Sequence, residues 1–308
     1  MKKPSTRTIA LIFVFAAAAI WGASFVTQRM AGYHMGSFTY NAARFLLGAL
    51  SLIPVIWLFE KDKPDRAKLK RTWIVGIAGG LAIFVAANLQ QFGIVLSDSP
   101  TSASEAGFIT GLYIIFVPLL GLFLKRKARP LVWVSAVLAF GGLALISIGP
   151  EGLSSIQFSD ILLVICAVFW AIHILIIDKY VNAISPIRFA SAQFFVAAIL
   201  SIIAAFVFET PTLEALSGGL MPILFGGIVA SGVAYTFQIL GQRSLEATLA
   251  AIIFSLEALF AAVSEAIFLG AIMTPQKYLG GSIIFIGILL SQLSKPIKKK
   301  REIQDVSK

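Results

Sequence analysis

Charge is what this sequence lacks most. Only 13% of its 308 residues are Asp, Glu, Lys or Arg, whereas an ordinary soluble domain carries about 25%. Hydrophobic residues make up 58%, and the mean hydropathy is +0.90. A water-soluble globule is excluded, and the chain is read as an integral membrane protein. Histidine and cysteine are also scarce, at two and one. The single cysteine, Cys166, falls mid-span, so neither an internal disulfide nor a cysteine metal cluster can form. There is no Walker A sequence, no HExxH and no Cys/His cluster. Few parts are left for metal or nucleophilic catalysis, and a nucleotide-driven pump has no motif to run on. The expectation is no metal, no cofactor and no enzyme. No Asn-x-Ser/Thr sequence occurs, which favours a bacterial origin.

What is present are ten apolar stretches, at 8–28, 37–59, 73–96, 101–124, 131–149, 159–178, 186–208, 219–241, 247–270 and 276–294. Each is long enough to cross a ~30 Å hydrocarbon core as a helix. Membrane strands would instead alternate over ~10 residues. The net charge of +10 follows this layout. Lys2, Lys3 and Arg7 precede the first span, Lys61 to Arg71 follow the second, Lys125 to Arg129 the fourth, Lys179 the sixth, Arg243 the eighth and Lys295 to Arg301 the tenth. The loops 97–100, 150–158 and 209–218 hold no Lys or Arg, and Lys277 is the one exception. Under the positive-inside rule both termini are cytoplasmic. The charge is therefore a topology signal and implies no nucleic-acid partner. The tail 297–308 reads as a basic cytoplasmic anchor at the bilayer surface. The first span is too long for a signal peptide, and no small-residue cleavage site follows it.

The first half also reappears as the second. Trp21, Phe45, Phe59 and Glu60 recur 149 positions later as Trp170, Phe194, Phe208 and Glu209. Gly79, Gly80 and Gln91 recur 147 positions later as Gly226, Gly227 and Gln238. With five spans per half, an odd number, the second copy enters the bilayer from the opposite face. The expected fold is all-α, with ten transmembrane helices in two inverted five-helix repeats at 1–149 and 150–296. That is the architecture of alternating-access carriers.

Several local sequences point to one family. They are Ile20-Trp21-Gly22-Ala23-Ser24-Phe25, Arg44-Phe45-Leu46-Leu47, Ala106 to Tyr113 with Pro118, Leu256 to Ala261, and Gln276 to Gly287. In their order and spacing the chain resembles the drug/metabolite transporter superfamily, in its EamA group. The resemblance implies ten helices and a central cavity lined mainly by helices 1, 3, 4, 6, 8 and 9. It also implies cargo drawn from amino acids, metabolites, quaternary amines or drugs. One departure is Leu269-Gly270-Ala271, where the family often has a Gly-Glu pair.

Trp21 and Trp170 lie near the midplane, roughly 16–20 Å from their entry faces, whereas membrane tryptophans usually sit at interfaces. They read as aromatic walls for a flat or cationic substrate, or as packing at the repeat interface. Glu257, mid-span, costs at least ~2.5 kcal/mol against lipid and so should face a cavity or a partner. With His173 it could relay protons, a possible coupling ion; alternatively both simply pack. Arg44 and Glu105 have similar depth and are expected to pair, as a structural ion pair or an outer gate. Asn88, Gln91, Tyr113, Tyr235 and Gln238 are suited to orienting a polar ligand, or are interhelical glue. The glycine pairs read as close packing or as hinges, and Pro54 and Pro118 as kinks. Together these features predict a secondary carrier in a bacterial inner membrane. It would most simply export small organic metabolites such as amino acids, aromatic ones among them. Carriage of cationic amines or drugs is the alternative, and a lipid enzyme or a sensor is the remote one.

Overall fold

In this computed structural model, the described residues are 6–60, 65–123, 130–148, 152, 155–245, 250, 253–254 and 256–293. The basic tail 297–308, Lys2, Lys3, Lys61, Lys63, the basic run 125–129, and the start of the ninth expected span at 247–249 lie outside them. Every regular element among the described residues is helical. Seven helical stretches are long and apolar enough to span a membrane. They include α1 (Thr6–Gly32), α2 (Ser37–Phe59), α3 (Arg66–Val95), and α4 (Ser102–Thr110) continuing into α5 (Tyr113–Phe123). Next come α6 (Pro130–Ser147), α7 (Phe158–Tyr180), α8 (Pro186–Phe208), and the short α9 (Leu213–Gly218) and α10 (Leu220–Leu224). A π-helix over Phe225–Ala234 leads into α11 (Tyr235–Gln242), followed by α12 (Leu256–Leu269) and α13 (Pro275–Leu293). The fifth, ninth and tenth expected spans correspond to α6, α12 and α13. With an apolar exterior, as at Phe59, Phe123 and Phe208, this is a multi-pass membrane protein.

The helix starts are legible in local chemistry. Asp65 caps α3 by accepting from the Lys68 N–H at 2.6 Å. Gln157 and Asp160 form a reciprocal box at the start of α7. Pro186 opens α8, where its missing N–H costs nothing. The sharpest interruption in the fourth span is at Gly111–Leu112, not at Pro118. There Leu112 and Ile114 bond to residues three back, a tightened turn, while α5 continues through Pro118. Pro54 likewise sits inside an unbroken α2.

Two helix pairs frame the bundle. Helices α2 and α8 cross with Phe45 and Phe194 stacked at 5.6 Å and 6°. Each supplies a carboxylate to the other's start. Glu209, just past α8, accepts from the Phe38 and Thr39 N–H groups of α2 at 2.9 and 2.8 Å. Glu60, just past α2, accepts from the Ile187 N–H of α8 at 3.0 Å and pairs with Arg188 at 3.2 Å. These carboxylates satisfy amides that would be costly to leave open in a bilayer. Helices α6 and α13 meet where Gly142 and Gly280 face one another's carbonyls, an approach only glycine permits. Gly79 and Gly80 lie against Phe189, Gln193 and Val196 of α8, while Gly226 and Gly227 lie against Tyr40, Arg44 and Leu47 of α2. The glycine pairs are thus packing surfaces in this structure.

Candidate functional site

A central cavity of about 50 Å³ lies among α1, α2, α3, α5, α7, the π-helix, α11, and α12 with the residues just before it. Helical periodicity explains how each element contributes. On α1, Trp21, Ser24, Phe25 and Gln28 share one face and line it; on α7, Trp170, His173 and Ile174 do so at the same spacing. Tyr235 and Gln238 come from α11, Tyr113 from α5, Gln90 from α3 and Arg44 from α2. Ala230, Phe254 and Glu257 complete the wall.

Tyr235 is the hub of the aromatic wall. Its ring lies 4.8 Å from Trp21, 5.0 Å from Phe194, 5.9 Å from His173 and 6.3 Å from Trp170. It directly follows the π-helix, whose wider turns are fixed in part by Ser231 Oγ donating to the Gly226 carbonyl five residues back at 2.7 Å. Such segments are rare and recur at functional sites. The two indole N–H groups are both used. Trp21 Nε1 donates to the Ala230 carbonyl at 3.0 Å, and Trp170 Nε1 to Gln90 Oε1 at 2.8 Å. These bonds fix both rings while leaving them on the cavity wall. The tryptophans are therefore lining and interhelical packing at once.

Among the described residues, one Arg and one carboxylate line the same cavity. Arg44 is nearly buried, with Nε donating to Asn41 Oδ1 at 2.7 Å and its guanidinium 4.5 Å from the Phe45 ring centre. Glu257 is equally buried. Two further polar atoms, Tyr113 Oη and Gln238 Oε1, are buried at the cavity without a hydrogen-bond partner. Buried polar atoms are ordinarily satisfied, so atoms left open on a cavity wall suit a ligand or water.

Seven of the nine expected ligand positions line the cavity: Trp21, Tyr113, Trp170, His173, Tyr235, Gln238 and Glu257. The other two do not. Asn88 binds Asn41 at 2.9 Å and the Phe84 carbonyl at 2.7 Å, and Gln91 donates to the Gln28 carbonyl at 2.7 Å. On α3 it is Gln90 that turns inward, linked to Gln28 at 2.8 Å. No hydrogen bond links His173 to Glu257; His173 Nε2 meets Gln193 Oε1 at 2.9 Å. Arg44 and Glu105 are not paired in this structure. Arg44 points into the cavity, whereas Glu105 binds Lys277 Nζ at 2.7 Å. Equal depth set the expectation, but depth says nothing of azimuth around the helix. Ser24, Gln28 and Gln90 were missed, although Ser24 and Gln28 stand three and seven residues from Trp21 on its own face.

The sequence profile of the EamA-like transporter family matches residues 8–148 and 157–293. An "Uncharacterized transporter" of Archaeoglobus fulgidus is 30% identical over 279 residues, covering 90% of this chain and 83% of its own. The "Uncharacterized transporter YwfM" of Bacillus subtilis is 23% identical over 304 residues, covering 96% and 98%. A solved crystal structure of a protein superposes with a TM-score of 0.69 at 17% identity, over 92% of this chain and 96% of its own.

Proposed function

The chain belongs to the EamA-like transporter family, and on that premise we propose that it is a secondary carrier exporting small zwitterionic metabolites, aromatic amino acids foremost. One observation carries this reading: Arg44 and Glu257 line the same cavity as the rings of Trp21, Trp170 and Tyr235. A carboxylate would meet the guanidinium, and an ammonium the Glu257 side, where Tyr113 and Gln238 offer open polar atoms. A cationic amine would satisfy Glu257 but leave Arg44 facing a like charge, which is costly in a low-dielectric site. The observed volume of about 50 Å³ holds only about three or four waters, so binding requires the helices to part.

The architecture we propose is ten spans in two inverted repeats, 1–149 and 150–296, with a cytoplasmic tail at 297–308. The exchange of carboxylate caps between α2 and α8 supports it, since Glu60 and Glu209 are repeat mates and so are Phe45 and Phe194, which stack face to face. Both termini lie in the cytoplasm of a bacterial cell, and protons are the coupling ion, taken up at Glu257.

Thermal stability of the purified carrier, measured with a panel of ligands, tests the substrate class. Aromatic amino acids should stabilise it, while their decarboxylated amines and the free carboxylic acids should not. Stabilisation by quaternary amines alone would replace the zwitterion reading with the amine one.

A further inference from the structure

At the face where α1 ends, beyond Gln28 of the cavity wall, two ion pairs join neighbouring helix ends. Arg29 Nη1 lies 2.7 Å from Glu265 Oε1 and also donates to the Pro100 carbonyl. Glu265 is fully buried and holds the start of α4, accepting from Ser104 N–H at 2.8 Å, from Ala103 N–H at 3.2 Å and from the Ser104 hydroxyl. Lys277 Nζ lies 2.7 Å from Glu105 Oε1 and 3.2 Å from Ser99 Oγ, and the Ser99 and Thr101 hydroxyls also donate to Glu105. Four elements are tied at one point: the end of α1, the start of α4, the end of α12 and the start of α13.

We propose that these two pairs are the latch of the non-cytoplasmic gate, and that they break each time the cavity opens to that side. The inference rests on the carrier reading above. Three observations support it. Arg29 directly follows Gln28, which lines the cavity and bonds to Gln90 on its wall, so displacing Gln28 displaces Arg29. Glu265 follows Glu257 by eight residues on α12, roughly 12 Å along one rigid helix, so movement at the binding wall reaches the latch. Arg29 and Lys277 keep 19% and 24% of their side chains exposed, while Glu265 and Glu105 keep 0% and 8%. The cations can therefore withdraw into water while Glu265 keeps the Ala103 and Ser104 amides and the Ser104 hydroxyl, and Glu105 keeps the Ser99 and Thr101 hydroxyls, so each carboxylate stays hydrogen-bonded when the latch opens. It also gives Lys277 a purpose, since that cation otherwise defies the charge rule for its loop.

The test reads access to the cavity and needs no substrate. Cys166→Ala removes the native thiol, and Ser24→Cys places a new one on the cavity wall. A membrane-impermeant thiol reagent is applied to intact cells, and labelling after denaturation counts the total protein present. Arg29→Gln and Lys277→Gln together should speed external labelling of Ser24→Cys roughly tenfold. Lys277→Glu, which sets two carboxylates together, should also speed it, and adding Glu105→Lys should bring it back toward the starting rate. Unchanged labelling in all of these variants overturns the latch while leaving the carrier standing. A Ser24→Cys thiol reached from neither face of the membrane, in whole cells or inverted vesicles, overturns the carrier reading and the latch with it.

Discussion

At the scale of residues, the chemistry of the cavity rests on two buried charges, Arg44 and Glu257, beside the rings of Trp21, Trp170 and Tyr235. Glu257 and the two tryptophans were visible because each is out of place in lipid: a carboxylate at mid-depth and indoles away from the interface. Asn88 and Gln91 share that polarity, but Asn88 lies across α3 from Gln90 and Gln91 is spent on the Gln28 carbonyl, and a composition pattern in a helix buried on several sides has no clear azimuth. Arg44 was assigned by depth to Glu105, and the side-chain geometry that turns it to the cavity comes from Asn41 one turn earlier. Two expectations belong to this scale. Trp21→Ala or Trp170→Ala should weaken substrate binding by roughly 1–3 kcal/mol, read by calorimetry on the purified protein, because a large apolar wall is lost. An unaltered affinity in both variants would make the rings packing elements only. Glu257→Gln keeps the shape and removes the titratable proton. In reconstituted vesicles it should retain substrate exchange yet lose accumulation driven by a pH gradient, and undiminished pH-driven flux would end the coupling role.

At the scale of elements, the spans were legible because twenty apolar residues leave the backbone little choice but a helix. What hydropathy did not reveal is where a helix changes its winding. The break at Gly111–Leu112 and the π-helix at Phe225–Ala234 both lie within runs of ordinary apolarity. Their causes are side-chain bonds to carbonyls, Thr110 to Ala106 at 2.6 Å and Ser231 to Gly226 at 2.7 Å, together with close neighbours on other helices. Proline is the stronger local signal for a break, yet α5 runs through Pro118 and the winding changes at Gly111. The carboxylate caps are the element-level feature most open to test. Glu209→Ala strips the Phe38 and Thr39 amides of their acceptor and should cost about 1–2 kcal/mol. Glu60→Ala should cost a similar amount at the other end of the pair. Both should lower the thermal midpoint in detergent while leaving the cavity ligands in place. A larger loss from replacing Glu214, which is on the exposed α9, would show that the caps are not what secures α2 to α8.

For the whole molecule, the question is how the two halves face. The repeat is legible because residues 147 to 149 positions apart match in type, and the odd number of spans expected in each half is what makes the proposed arrangement an inverted one. The contacts add a physical reason for keeping such a design. A pair of helices related by a two-fold in the membrane plane runs antiparallel, so the carboxylate that ends one can cap the other, and the arrangement needs no polar connection through lipid. Glu60 and Glu209 do this at opposite ends of α2 and α8. The gating cluster does not share the symmetry: position 178, the repeat mate of Arg29 at an interval of 149, is Asp. Two faces of unlike chemistry give a carrier a built-in difference between its two closed ends, which inversion alone would not. Topology is testable without substrate. In a Cys166→Ala background, thiols at Ser97 and at Ser217 should react with an impermeant reagent in intact cells, since both loops belong to the non-cytoplasmic face in an inverted arrangement. Thiols at Asp65 and Lys179 should react only after the membrane is opened. Reaction of Ser97 and Ser217 from opposite sides would mean a parallel repeat. In that case the cap exchange would have to arise without a two-fold axis, and the alternating-access proposal would lose its inverted-repeat basis.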